Sequence, residues 1–144
     1  MTAEQLDELM REGVLERVPR DRAAAGRDIT VARAHLQSLD RVSATDPTGA
    51  FALAYEAIRK AIVAHMRANG LRVRTSRGGH FQTGRYALAA LEDLGVTKHL
   101  LAYEDLRRLR NKCAYEAVLI EDVDVEEAMA HARAIVSAVE VDLS

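Results

Sequence analysis

DPTGAFALAYEAIRKAIVAHMRANG, residues 46–70, is the stretch that sets the fold. Asp46 offers a capping carboxylate, and Pro47 suits a first helical position, where its missing N–H costs nothing. From there Phe51, Ala54, Tyr55, Ile58, Ala61, Ile62 and His65 recur at helical spacing, so one face of a long helix is apolar. The spacing carries it to Asn69, and Gly70 closes it. His65 sits on the apolar stripe and reads as a core histidine, not a ligand.

The flanking segments repeat this pattern. Upstream, a helix is expected from Pro19 to about Val42, burying Ala25, Ile29, Ala32, Leu36 and Leu39, with a polar break at 43–46. Residues 1–18 hold a short helix from Ala3 to Arg11, introduced by the Thr2–Gln5 capping pair and ended by Gly13, and then a connector. Downstream, Gly70 to His80 reads as a loop with three arginines and the adjacent Gly78 and Gly79. A helix from His80 to Leu94 follows, burying Ala87, Leu88, Leu91 and Leu94. Gly95 stops it, and Thr97 caps the next. The last helix is expected to start on the Asp124–Glu127 capping pair, with Val125, Ala128, Ala132, Ile135 and Val139 inside. No strand, repeat or linker is legible. The whole predicts a single all-α domain over residues 1–144, an up-and-down bundle of about five to six helices.

Composition agrees with that class. The chain is 49% hydrophobic, with two prolines and no Trp. Its one cysteine, Cys113, excludes an internal disulfide and fits a reducing, cytoplasmic setting. The acidic N-terminus lacks an apolar signal core, and no apolar run is long enough for a membrane. The five histidines stand as widely spaced singles, so neither a metal nor a cofactor is expected. The loop lacks the Gly-Lys-Ser/Thr of a P-loop, and no serine nucleophile or dinucleotide fingerprint is present.

Charge is unevenly spread. The net charge is only −2, yet Arg59, Lys60, Arg67, Arg72, Arg74, Arg77 and Arg85 lie between Glu56 and Glu92 with no acidic residue among them. Such a segment suits an anionic partner, and pairing with acidic residues of the same or a neighbouring chain suits it equally.

A second cationic stretch is Arg107-Arg108-Leu109-Arg110-Asn111-Lys112-Cys113-Ala114-Tyr115-Glu116. On a helix, Leu106, Leu109 and Cys113 form an apolar seam. Arg107, Asn111 and Tyr115, spaced by four, stack on another face with Arg108 beside them. Guanidinium forks suit phosphate, and Asn and Tyr add neutral donors, so the set fits a phosphodiester backbone.

Arg110-Asn111, three residues and then Tyr115 resembles the signature of HEPN domains, small helical proteins whose usual motif is Arg, four to six residues, then His. The likeness runs over most of the chain and is greatest to an actinobacterial subfamily with Arg-Asn-x-x-x-Tyr at this place. It implies an RNA-directed homodimer, often a metal-independent ribonuclease serving as the toxin of a toxin–antitoxin or defence system, with a cognate antitoxin or nucleotidyltransferase as partner. Arg110 and Asn111 match the family's Arg and its polar follower, and Tyr115 stands where the family has His. Tyrosine is a poor base at neutral pH, so His80, within the basic segment, is the histidine nominated in its place. The expected catalytic set is Arg110, Asn111, Tyr115 and His80, with Arg72, Arg74, Arg77, Arg107 and Arg108 on RNA. Two classes stay open: a ribonuclease, or a catalytically inactive domain that binds RNA, nucleotide or a protein partner.

Overall fold

The computed structural model describes residues 3–74 and 78–144. In chain order it runs α1 (Ala3–Arg11), β1 (Leu15–Arg17), α2 (Arg22–Thr45), α3 (Pro47–Ala68), β2 (Leu71–Val73), α4 (Gly79–Ala90), a 3-10 turn (Glu92–Leu94), α5 (Thr97–Leu101), α6 (Tyr103–Glu116) and α7 (Asp122–Leu143). The all-α bundle is as the periodicity predicts.

α3 is the central element. Alanine recurs along its buried faces at 50, 54, 57, 61, 64 and 68, interleaved with Phe51, Tyr55, Ile58 and Ile62. Small side chains let neighbouring helices approach closely, and the large ones fill the spaces between. α2 packs along one side of α3 and α7 along another. They contribute Ala25, Ile29, Ala32, Leu36 and Leu39 from α2, and Val125, Ala128, Ala132, Ile135 and Val139 from α7. These are the residues that the sequence placed inside.

The reversal from α2 to α3 takes one residue. The N–H of Asp46 donates to the Val42 carbonyl at 2.7 Å, ending α2. Its carboxylate accepts from the Gly49 N–H at 2.9 Å, starting α3. A side chain at Gly49 would come within 2.1 Å of that carboxylate, so glycine leaves room for the cap.

Several expectations need correction. Part of the 70–80 loop is a strand. Leu71, Arg72 and Val73 pair antiparallel with Arg17, Glu16 and Leu15. Gly70, at φ +68°, makes the turn into it, where a Cβ would lie 2.8 Å from the Val18 carbonyl oxygen. α2 begins at Arg22, because Asp21 caps it through the Ala24 N–H at 2.9 Å. The segment from Thr97 is broken at Ala102 into α5 and α6, and Thr97 makes no capping bond. α7 starts two residues before Asp124, at Asp122. Leu88 faces outward on α4. Thr2 of the expected capping pair lies outside the described residues.

His65 is a satisfied core histidine. Its Nδ1 lies 2.7 Å from the Tyr86 hydroxyl, and its Nε2 is 3.5 Å from Asp142. Cys113 and Leu109 pack half-buried on the core beside buried Leu106, so the seam of α6 faces inward.

A candidate functional site around His80

Three helices converge on His80. α3 brings Tyr55 and Arg59, four apart on one face, with Glu56 three before Arg59 and paired to it. α4 brings His80 and Phe81 in its first turn. α6 brings Tyr103, Arg107 and Arg110, spaced by four and three so that they point the same way.

The hydroxyl of Tyr55 lies 2.6 Å from His80 Nδ1 and 3.1 Å from the Tyr103 hydroxyl. Tyr103 in turn donates to the His80 backbone carbonyl at 2.8 Å. The Tyr55 and His80 rings stack nearly parallel, with centroids 5.7 Å apart, and the Tyr103 ring stacks on Tyr55 at 5.6 Å. Both tyrosines are buried. Gly84 makes this possible: a Cβ there would sit 2.6 Å from the Tyr103 ring.

Cations ring the cluster. Arg59 is held by Glu56, with Nη2–Oε1 at 2.6 Å and Nε–Oε2 at 3.1 Å. Arg107 is held by Glu104, with Nε–Oε2 at 2.8 Å, and its guanidinium lies over the Phe81 ring at 5.7 Å. Glu104 also accepts from Arg108 at 3.1 Å. Arg110 differs. Its guanidinium lies over the Tyr55 ring at 5.5 Å, and among the described residues no carboxylate pairs with it. It is the site's uncommitted positive charge.

This setting keeps His80 neutral. Burial pushes its pKa below the ordinary histidine range, and Arg59, Arg110 and Arg107 push the same way against Glu56. The amino end of α4 adds a partial positive charge, which also disfavours imidazolium. Burial raises Tyr55 against the pull of Arg110, Arg59 and Arg107, and burial raises Tyr103 further, so both phenols stay protonated. Beside the cluster is a cavity of about 490 Å³, on whose wall His80, Arg59 and Thr83 meet the apolar Val63, Met66 and Val73.

Comparison with protein-family models, with curated proteins and with solved structures found no match.

Of the residues singled out from sequence, the structure brings His80, Arg110 and Arg107 together within one chain. Asn111 is half-buried one position on. Tyr115 lies apart, 87% exposed in the last turn of α6. Five residues at 100° each put it roughly 140° around the helix from Arg110. Arg108 is solvent-facing and tied to Glu104. Arg72 on β2 and Arg74, one residue past its end, reach Glu16 on β1 at 2.6 and 3.9 Å. Arg77 lies outside the described residues. The basic segment is thus answered largely within the chain, with Arg67 on Asp28 at 2.9 Å and Arg85 on Glu12 at 2.7 Å as further pairs. Sequence reading missed Tyr55, Tyr103, Arg59 and Glu56. The available signal was Tyr55 on an apolar stripe, because a buried phenol needs a hydrogen-bond partner.

Proposed function

We propose that this chain is a HEPN-type metal-independent endoribonuclease in which His80 is the general base and Arg110 stabilises phosphate charge. The observation that carries the reading is the placement of His80, whose pKa burial holds below the ordinary histidine range, near Arg110, with which no carboxylate pairs among the described residues. A neutral imidazole can accept the proton of a ribose 2′-hydroxyl. The 2′-oxygen then bonds to the adjacent phosphorus, and the bond from phosphorus to the 5′-oxygen breaks. The leaving 5′-oxygen takes its proton from solvent. Negative charge grows on the non-bridging oxygens, where Arg110 offers two parallel donors. The products are a 2′,3′-cyclic phosphate and a 5′-hydroxyl.

The proposal extends to a homodimer. Phe81, Leu88 and Leu101 are 42%, 39% and 62% exposed and surround one shallow pocket beside Tyr103 and Glu104. A second copy covering that patch would remove apolar area from water next to the site. A toxin–antitoxin or defence role is the biological setting that goes with such an activity.

A second reading rests on a specific observation: most arginines around the site are already paired with carboxylates, which suits weak RNA binding without turnover. The separating experiment is incubation of the purified protein with single-stranded RNA in EDTA, with analysis of the ends formed. Cyclic phosphate ends support the nuclease. Intact RNA, with binding that weakens in salt by a slope of about −0.7 per phosphate contact, supports the binder.

A further inference from the structure

We infer that Tyr55 and Tyr103 are positioning residues that fix the tautomer of His80, with the proton on Nδ1 and a bare lone pair on Nε2. The inference gives the proposed base its chemical form and rests on that reading for its purpose, but the proton count stands by itself.

The count starts at the His80 backbone carbonyl, which can only accept. Tyr103 has one hydroxyl proton, and at 2.8 Å it is committed to that carbonyl. Toward Tyr55, 3.1 Å away, the Tyr103 oxygen can therefore only accept. Tyr55 also has one proton, and this contact takes it. The Tyr55 oxygen must then accept from His80 Nδ1 at 2.6 Å. All three contacts are hydrogen bonds only if Nδ1 carries the proton. With the opposite tautomer Tyr55 donates to Nδ1, and the single Tyr103 proton then serves either Tyr55 or the carbonyl but not both, so one of the three close contacts carries no proton, in a place where both tyrosines are 1% exposed. Buried polar atoms without a partner are costly.

The other ring nitrogen has no hydrogen-bond partner among the described residues, and His80 lies on the wall of the cavity. A bare nitrogen there takes a ligand that presents a hydroxyl proton. A ribose 2′-hydroxyl presents such a proton, and deoxyribose has none at that position. The two tyrosines touch His80 and not the reacting atoms, so their effect passes through the imidazole.

Nitrogen-15 spectra of the histidine rings at about pH 8, without RNA, test this. His80 signals are identified by their loss in His80→Gln. The expected result is a protonated Nδ1 and an unprotonated Nε2 in the unaltered protein. In Tyr103→Phe the acceptor for the Tyr55 proton is gone. That hydroxyl turns to Nδ1, and His80 changes to the Nε2–H form. The same variant should lower kcat about 10²-fold, the order a general base supplies, while KM for RNA moves less than about twofold. A protonated Nε2 in the unaltered protein overturns the inference whether or not RNA is cleaved. Correct tautomers without cleavage leave the inference standing and overturn the nuclease.

Discussion

Gly84 shows how closely the site depends on single atoms. Its missing Cβ is the space occupied by the edge of the Tyr103 ring. Adding a methyl group there overpacks a buried contact, which typically costs about 1–3 kcal/mol. Gly84→Ala is therefore expected to lower stability in urea by that amount and to shift the ring signals of His80, since Tyr103 holds its backbone. Unchanged stability with unchanged His80 signals would contradict this placement. Tyr115 shows the opposite case. It shares a helix with Arg110 but neither its face nor its burial. Tyr115→Phe should leave RNA cleavage within about twofold, because one exposed hydroxyl exchanges only with water.

Among the elements, α3 packs against α2, α4, α6 and α7, and histidines on α3, α4 and α7 make the bundle sensitive to acid. Burial lowers the pKa of His65, His80 and His131 below the ordinary 6.5. The unfolded chain therefore binds protons that the folded chain refuses. Stability from this source is fully present above about pH 6.5 and is lost as pH falls through the lower folded values. The pairs of Glu56 and Glu104, whose pKa values lie below 4.5, hold to lower pH. A melting temperature followed from pH 8 downward should start to fall near pH 6.5, before the carboxylates titrate. A flat profile down to pH 5 would contradict the buried neutral imidazoles.

How much was legible also divides by element. α2, α3 and α7 were readable because burial repeats every three or four residues, and Asp46 and Gly70 mark the ends of α3. The strands were not readable. Three residues cannot show alternation convincingly, and Glu16 meets Arg72 across 56 positions of chain. The site was half legible. Spacing exposed Arg107, and the resemblance to HEPN domains nominated Arg110 and His80. The contacts that join them run from Tyr55 to His80, 25 residues on, and to Tyr103, 48 residues on. No local pattern carries such a pairing. The motif resemblance grouped Tyr115 with Arg110 by distance in sequence, where angle around the helix separates them.

For the whole molecule, the exposed Phe81, Leu88 and Leu101 sit beside the site. Light scattering at micromolar concentration is expected to give the mass of two chains, and Leu101→Asp to give one. A single-chain mass for the unaltered protein would remove the dimer from the proposal without touching the chemistry at His80.

Cleavage of single-stranded RNA in EDTA by the unaltered protein, His80→Ala and Arg110→Ala tests the central claim most directly. Metal-independent cleavage is expected, with a rate that rises with pH along a limb below 6.5, where His80 loses its proton. His80→Ala should lower it about 10²–10⁴-fold, with RNA affinity retained. Arg110→Ala should lose roughly 10- to 150-fold, the worth of a charge-assisted hydrogen bond. Cleavage that survives both substitutions, or no cleavage by the unaltered protein, would contradict that claim.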